Sequence, residues 1–333
     1  MLPSVHPALL EELMLSLQTH FSRRHFLKSS GLVATSLAVS RRIVAGQEVS
    51  TPGLVEKARN GAASAQIAVE KLRGNVSVLS GGGGNIAVLH GPDGKLLVDA
   101  GFAGARPKIS EALAGISSDP IMHLINTHWH FDHTDGNEWI QKSGATILAH
   151  ENTRKHLSTT TRVAGWDFTF PPAPEGAIPT KVFESNTVLE LNGATVALNG
   201  YPPAHTDGDI SVHFAEEDIL HVADTFWNGY YPFIDYSTGG SIEGMIRATE
   251  SNLATVTNKT IIIPGHGPVA DKSQLTAYRD LLVTVRDKVA ALKTRGQSLD
   301  EVLASKPTAN YDAKWGGGFM SPRMFTGLVY LGV

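Results

Sequence analysis

The stretch THWHFDHTDGN, residues 127–137, carries three histidines and two aspartates within one short segment. It follows the apolar run IMHLIN at residues 121–126, which predicts a β-strand. His128 and His130 are two residues apart, so on extended backbone both side chains point to the same side and can hold one metal ion. Asp132 and His133 fall where the chain turns toward a helix, so their side chains can diverge toward a second ion beside the first.

A lone histidine in a loop is more often a hydrogen-bonded filler than a ligand, but three histidines and an aspartate in one loop favour a metal site. Other candidate ligands lie at or just after the ends of predicted strands. These are Asp99, His205, Asp224 and His266. The carboxyl ends of strands are where an α/β sheet usually places its site, so these side chains are expected to converge.

The order of these motifs resembles the metallo-β-lactamase-fold hydrolase superfamily, from about Ile67 to the final helix. The resemblance implies an α/β (α+β) fold, a four-layer αβ/βα sandwich in which two packed sheets carry helices outside. Two strand-rich segments, each followed by helices, agree with that architecture. We therefore expect a single domain over residues 66–333.

The resemblance also implies roles for individual residues. His128, His130 and His205 would bind one ion, Asp132, His133 and His266 the other, and Asp224 would bridge them. Asp99 would hold a ligand through a hydrogen bond rather than bind metal. Ligands of nitrogen and oxygen suit two zinc ions per chain, and iron or manganese would also be held. The predicted catalytic residues are Asp132, Asp224, Tyr230 and Tyr231.

The function implied is a hydrolase in which a metal-bridging hydroxide attacks an ester, lactone, thioester or amide (lactam) bond. One alternative is a β-lactamase of the all-histidine type, although those enzymes usually lack the bridging aspartate that Asp224 would supply. A second alternative is a mononuclear iron persulfide dioxygenase, and a third is a metal-binding protein without catalysis. Lactonases carry a tyrosine three positions after the bridging aspartate, where this chain has Trp227.

Composition narrows the class of partner. The chain has 333 residues, 42% of them hydrophobic, a formal net charge of -4 and no cysteine, which excludes disulfides and thiol nucleophiles. Nucleic acid is not expected as a partner, because phosphate binding needs a basic surface. No apolar run is long enough for a transmembrane helix, so membrane insertion is not expected and the predicted partner is a small-molecule substrate.

The segment SRRHFLK at residues 22–28, followed by mildly apolar residues, resembles a bacterial twin-arginine export signal. The prediction is a signal peptide over residues 1–46, a spacer over 47–65 and a periplasmic or secreted mature protein, with Met14 as an alternative start. Removing residues 1–46 takes away five basic and two acidic residues, which moves the formal charge from -4 to -7.

Further expectations concern the surroundings of the site. The glycines 81–84 predict a flexible turn near the pocket, and Asp135 with Glu138 predicts the capped start of a helix. The long segment 156–180 is expected to be a lid over the pocket or a local apolar cluster. Trp227, Tyr230, Tyr231 and Phe233 are expected to line an apolar pocket, whereas His123, His150, His213 and His221 are expected to be packed structural residues.

Overall fold

The computed structural model describes residues 53–333, so the predicted signal peptide, residues 1–46, lies outside the described residues. The predicted spacer is described only from Gly53 onward, and there it is helical. Helix α1 (Leu54–Ala62) buries Val55 and Ala62. Residues 54–62 of the predicted spacer thus form a helix that packs one face against the rest of the chain.

The described residues form two large sheets and one small hairpin. The strands are β1 (Ala68–Lys71), β2 (Val76–Ser80), β3 (Ile86–Leu89), β4 (Lys95–Val98), β5 (Ile121–Asn126), β6 (Thr146–His150), β7 (Thr161–Val163), β8 (Phe168–Phe170), β9 (Lys181–Phe183), β10 (Asn186–Leu191), β11 (Ala194–Gly200), β12 (Ile210–Phe214), β13 (Ile219–Trp227) and β14 (Ile261–His266).

The helices that follow α1 are α2 (Arg106–Ile116), α3 (Phe131–Thr134), α4 (Asn137–Lys142), α5 (Glu151–Ser158), α6 (Ile242–Thr255), α7 (Lys272–Thr294), α8 (Leu299–Ser305), α9 (Asp312–Trp315) and α10 (Pro322–Gly332). Within residues 53–333 no helix is long and apolar enough to cross a membrane.

The first sheet has the strand order β1-β2-β3-β4-β5-β6-β9 and the second the order β10-β11-β12-β13-β14. Pairing is antiparallel up to β4 and parallel from β4 to β9, with α2 as the crossover between β4 and β5. In the second sheet β13 and β14 pair in parallel, so their carboxyl ends lie toward the same edge of that sheet.

The sheets face each other across an apolar layer, represented by Val78, Leu96, Val196 and Phe214. Helix α2 covers the outer face of the first sheet through Ile109 and Leu113, while α6 and α7 cover the second. This is the predicted sandwich, a sheet-on-sheet core with helices outside.

The predicted capped helix at Asp135 is wrong. The chain makes two short helices instead, and Asp135 is the residue that ends α3. Its carboxylate accepts two hydrogen bonds of 2.7 Å from Arg59 of α1, while Glu138 pairs with Lys142 on α4. A distant guanidinium thus takes the carboxylate that the local pattern assigned to a cap.

Candidate metal centre

The seven predicted ligands come together in two adjacent groups. Within each group the ligand atoms lie within 4.8 Å of one another. The first group is His128, His130, His205 and Asp224; the second is Asp132, His133 and His266. The structure therefore assembles the set that the sequence motifs indicated, from four separate places in the chain.

The metal loop departs from the end of β5. His128 lies in a bend directly after the strand, His130 has extended backbone, and α3 then begins at Phe131. The helical turn places Asp132 and His133 in the second group, although the His133 ring still lies 4.3 Å from the His128 ring. The chain geometry thus divides one short motif between two groups of ligands.

The sequence pattern predicted Asp224 at the end of its strand. In the structure it lies inside β13 instead. Ala223 just before it has φ of 46°, in the left-handed region, and the pairing of β13 with β14 shifts register there. Non-glycine residues in this conformation are strained and concentrate at functional sites. The break in regular pairing aims the Asp224 carboxylate at the cluster.

The carboxylate of Asp224 lies between the two groups. One oxygen is 3.4 Å from His205 Nε2 and from His266 Nε2, and the other is 3.2 Å from His133 Nε2. Asp132 reaches only the second group, at 3.3 Å from His266 Nε2 and 3.6 Å from His133 Nε2. Among the seven, Asp224 has the bridging geometry.

Two glycines make this close packing possible. A Cβ on Gly84 would lie 2.1 Å from the His133 ring, and one on Gly265 would lie 1.9 Å from Asp224 Oδ1. The glycines 81–84 are therefore not a flexible turn as predicted. Gly84 N donates to Asp132 O and the neighbouring Asn85 N to Gly265 O, which ties the segment to both halves of the site.

The second ring nitrogen of three histidines has a fixed partner. His133 Nδ1 lies 2.7 Å from Asp99 Oδ2, and His130 Nε2 lies 3.1 Å from Asp235 Oδ2. His205 Nδ1 lies 2.9 Å from the carbonyl oxygen of Phe233. Donation to these oxygens leaves the opposite nitrogen of each ring free to bind a metal ion, and such partners orient ligands.

Asp99 occupies the supporting position that the resemblance implied. It is fully buried, has φ of 70° and accepts from both the backbone NH and the hydroxyl of Thr127. The Thr127 oxygen lies 3.1 Å from His128 Nδ1, so Asp99 supports His133 directly and His128 through Thr127.

Sequence reasoning missed two carboxylates that hold the ligands. Asp235 is fully buried between His130 and the hydroxyl of Thr238. Asp209 accepts from His205 N, Thr206 N and the Thr206 hydroxyl, which fixes the loop carrying His205. Burial raises the pKa of Asp209 to about 6, although His205 acts in the opposite direction. Neither carboxylate lies in a recognisable motif, so only the fold could identify them.

The electrostatics of the cluster favour added positive charge. Burial disfavours charge on every member, yet Asp224 and Asp132 raise the pKa of His266 to about 9, and His133 and His266 lower the pKa of Asp132 to about 2. Burial and neighbouring histidines lower the pKa of His128 well below its usual value, which keeps its ring neutral, the form that binds metal.

The donor atoms themselves fit divalent metal ions. His128 Nε2, His133 Nε2, Asp224 Oδ1 and His266 Nε2 are buried and have no hydrogen-bond partner within residues 53–333. Buried polar atoms are normally satisfied, so several such atoms converging on one place need another partner. Imidazole nitrogens and carboxylate oxygens without sulfur suit divalent ions such as zinc, iron and manganese.

A cleft of about 910 Å³ opens onto the cluster. Its floor includes His130, Asp132, His205, Asp224 and His266. Its walls are largely apolar and include Phe102, Phe131, Trp166, Trp227 and Phe319. Trp166 comes from the segment 156–180, which forms the β7–β8 hairpin rather than a structureless loop, and its ring stacks on Phe233 and lies 4.6 Å from the His130 ring.

The structure does not bring the two candidate tyrosines to this floor. The Tyr231 side chain is fully buried, stacks on Phe325 and donates to Asp312, so it packs beneath the loop. Tyr230 is 37% exposed and is not among the residues that line the cleft. Of the four aromatic residues predicted to line the pocket, only Trp227 does so directly, because the loop after β13 turns Tyr231 and Phe233 into the core and leaves Tyr230 exposed outside the cleft.

The four histidines expected to be structural belong to neither group of ligands. His150 Nε2 lies 2.7 Å from the carbonyl of Glu184, and His221 Nε2 lies 3.2 Å from that of Asn85. His123 and His213 are half-buried on β5 and β12.

Comparison with known proteins agrees with the motifs. The model of the Metallo-beta-lactamase superfamily matches residues 79–291, well over half of the chain. A hydroxyacylglutathione hydrolase from Erythrobacter litoralis is 26% identical over 215 residues, which cover 59% of this chain and 74% of that relative.

Solved structures share the fold. A metallo-β-lactamase from Pontibacter korlensis superposes with a TM-score of 0.53 at 17% identity, over 65% of this chain and 99% of its own. The inverting sec-alkylsulfatase Pisa1 from Pseudomonas sp. superposes with a TM-score of 0.58 at 16% identity, over 97% of this chain and 62% of its own. At these identities the likeness describes architecture and not substrate.

Proposed function

The chain belongs to the metallo-β-lactamase superfamily and is a metal-dependent hydrolase, and we propose that it uses two zinc ions to cleave an ester, lactone, thioester or amide bond, lactams included, in a small molecule. The observation that carries the proposal is the position of the Asp224 carboxylate, within 3.4 Å of ligand atoms from both groups.

Two divalent ions at such a site supply a water of lowered pKa and polarise the substrate carbonyl. His128, His130 and His205 would hold one ion, Asp132, His133 and His266 the other, and Asp224 would touch both. A shared carboxylate offsets the mutual repulsion of two cations held close together in a partly dry site.

The protein's own groups supply orientation and exclude solvent. Asp99, Asp235 and the Phe233 carbonyl hold three imidazole rings in one tautomer, so no ring has to reorient when substrate enters. Trp166, Phe131 and Trp227 place apolar surface beside the cluster, which lowers the local dielectric and strengthens electrostatic interactions with the reacting carbonyl.

Asp132 and Asp224 both line the cleft, and Asp224 approaches ligand atoms of both groups. Burial acts to raise the pKa of these carboxyls, but His133 and His266 hold it below the usual value, so both stay ionised, which is the form that binds metal. No side-chain nucleophile is required, in agreement with the absence of cysteine from the chain.

A hydrolysis screen of the purified zinc form tests the proposal. The rates at which wild type hydrolyses lactams, lactones, thioesters, carboxylic esters and phosphodiesters would be compared with the rates for the Asp224→Asn variant. The proposal expects turnover of at least one carbonyl substrate that depends on Asp224. Turnover confined to phosphodiesters, or iron-dependent persulfide oxidation without any hydrolysis, would overturn it.

A further inference from the structure

The cleft is walled by segments that lie outside the span matched by the superfamily model. That span ends at residue 291 and begins at 79, whereas Leu54, Lys57 and Ala58 of α1 and the segment 316–324 all line the cleft. These added walls face the substrate beyond the metal cluster. They are therefore where the substrate preference of this chain, as distinct from its chemistry, is encoded.

The added walls are apolar. Leu54 and Ala58 face the cleft from one side, and Phe319, Pro322 and Met324 face it from the other. Phe319 lines the cleft and is 43% exposed, so part of its ring is open to a molecule bound there. The cleft volume of about 910 Å³ is that of a site for a drug-sized molecule.

Among the described residues that line the cleft, Lys57 is the single lysine or arginine, and it lies on α1 rather than in the metal cluster. Its ammonium makes no ion pair or hydrogen bond within residues 53–333, whereas Arg59, two positions later, is held by Asp135. Helix α1 is fixed to the metal loop by that Arg59–Asp135 pair and by the buried Val55. An unpaired ammonium is thus presented at a defined place on an apolar wall.

We propose that the substrate has a bulky apolar body and one anionic group, and that Lys57 receives the anion while the scissile carbonyl lies at the metal cluster. This inference rests on the proposed function for the identity of the scissile bond. Lys57 is exposed, so an ion pair with it remains in contact with solvent and should contribute only a modest part of the binding.

The same charges argue against a glutathione thioester, the kind of substrate that the name of the Erythrobacter litoralis relative indicates for that protein. Glutathione carries two carboxylates and an ammonium on a polar tripeptide. Away from the metal cluster, the cleft offers such a substrate one basic side chain, Lys57, and largely aromatic and aliphatic walls. We expect a monoanionic apolar thioester to be preferred over a glutathione thioester of the same acyl group.

A pair of fluorescent probes tests binding without any turnover. 8-Anilinonaphthalene-1-sulfonate has an apolar body with one anion, and N-phenyl-1-naphthylamine has nearly the same body with none. Wild type should bind both. Lys57→Gln should weaken binding of the sulfonate about two- to fivefold and leave the affinity for the neutral probe unchanged. Lys57→Arg should restore the affinity for the sulfonate.

The matched control is Lys71→Gln, which makes the same charge change on the exposed strand β1, outside the cleft. This variant should change neither the affinity for the sulfonate nor that for the neutral probe. An equal effect of the two substitutions, no effect of Lys57→Gln, or no binding of either probe to wild type would each overturn the inference.

A second arm separates this inference from the proposed function. p-Nitrophenyl octanoate and the monoester of p-nitrophenol with octanedioic acid differ by a terminal carboxylate, and wild type should favour the latter in kcat/KM. Loss of that preference in Lys57→Gln, with octanoate turnover kept, supports the role of Lys57. If wild type hydrolyses neither ester and no other carbonyl substrate, the proposed function fails, while the probe affinities still decide the role of Lys57.

Discussion

The two groups of ligands lie at different depths. The side chains of His128, His130, His205 and Asp224 are at most 3% exposed, whereas in the second group His133 is fully buried but Asp132 and His266 are 16% and 20% exposed. In the deep group each histidine also has a hydrogen-bond partner for its second ring nitrogen. In the shallow group His133 alone has an oxygen partner of this kind, Asp99.

This difference has a physical consequence. Ligands that are held by buried partners lose little conformational freedom when they bind a metal ion, whereas exposed ones must be ordered at some cost. The deep group should therefore bind its ion more tightly, and the shallow group should exchange its ion first and lie nearer to the substrate.

The largest expected effect comes from Asp224→Asn, which removes the negative charge that lies next to both groups of ligands. The amide keeps the shape, but the shallow ion is then held by Asp132, His133 and His266 alone. Hydrolysis should fall by about two orders of magnitude or more, with partial recovery in excess zinc. Initial rates and metal content after dialysis are the measurements.

Asp207→Asn is the matched control for that change. Asp207 pairs with His156 at 2.8 Å and belongs to neither group of ligands, so this variant should keep its metal and its rate. A near-normal rate with two tightly held ions in Asp224→Asn would show that Asp224 is not the bridge.

An intermediate effect is expected when a carboxylate that supports the ligands is replaced, and such variants distinguish the deep group from the shallow one. Asp235 supports only the deep group, through His130, whereas Asp99 supports His133 of the shallow group and, through Thr127, His128 of the deep one. Asp235→Asn should weaken the deep ion about 10- to 100-fold and spare the shallow one, while Asp99→Asn should weaken both.

Competition with a chromophoric chelator measures both affinities, and cobalt substitution reports the two sites through their absorption spectra. Equal loss from both sites in Asp235→Asn would contradict the assignment of Asp235 to the deep group. Unchanged metal affinities in both variants would show that the buried hydrogen-bond partners do not strengthen metal binding in either group.

The smallest effect is expected from Arg59→Gln, which loosens the wall beside the shallow group and leaves the cluster intact. Arg59 binds Asp135 through two 2.7 Å hydrogen bonds and lies 5.3 Å from the centre of the Phe131 ring. Because the Arg59 side chain is 40% exposed, its loss should lower the free energy of unfolding by less than about 1 kcal/mol. KM for bulky substrates should rise while metal content stays unchanged.

Urea denaturation and KM for a short and a long ester would be compared with Arg154→Gln on α5, a surface change away from the cleft. A loss of metal in Arg59→Gln would show instead that α1 supports the cluster itself.

The sequence predicted which seven side chains come together, because each lies next to a recognisable strand or turn. The spacing of His128 and His130 alone indicated a shared direction, and the fold places both in one group as expected. What the sequence could not indicate depends on contacts between distant segments. Asp235 supports a histidine 105 positions earlier in the chain, and Asp135 binds Arg59 across 76 positions.

The prediction that Tyr230 and Tyr231 lie at the site is wrong for a different reason. Tyr230 and Tyr231 follow Asp224 closely in sequence, but β13 continues through Trp227 and the chain then turns, so closeness in sequence does not become closeness in space. Tyr231 is instead fixed against Phe325 of α10, a contact set by the C-terminal helices. Local pattern identified the chemistry, while the cleft that surrounds it depends on segments at both ends of the described chain.

The most direct test of a two-metal hydrolase is to add zinc stepwise to metal-free protein and to measure bound zinc per chain together with the hydrolysis rate. The account predicts two bound ions per chain, the first filling the deep group with little activity and the second, in the shallow group, bringing most of the rate. Saturation at one ion per chain with full activity would contradict it.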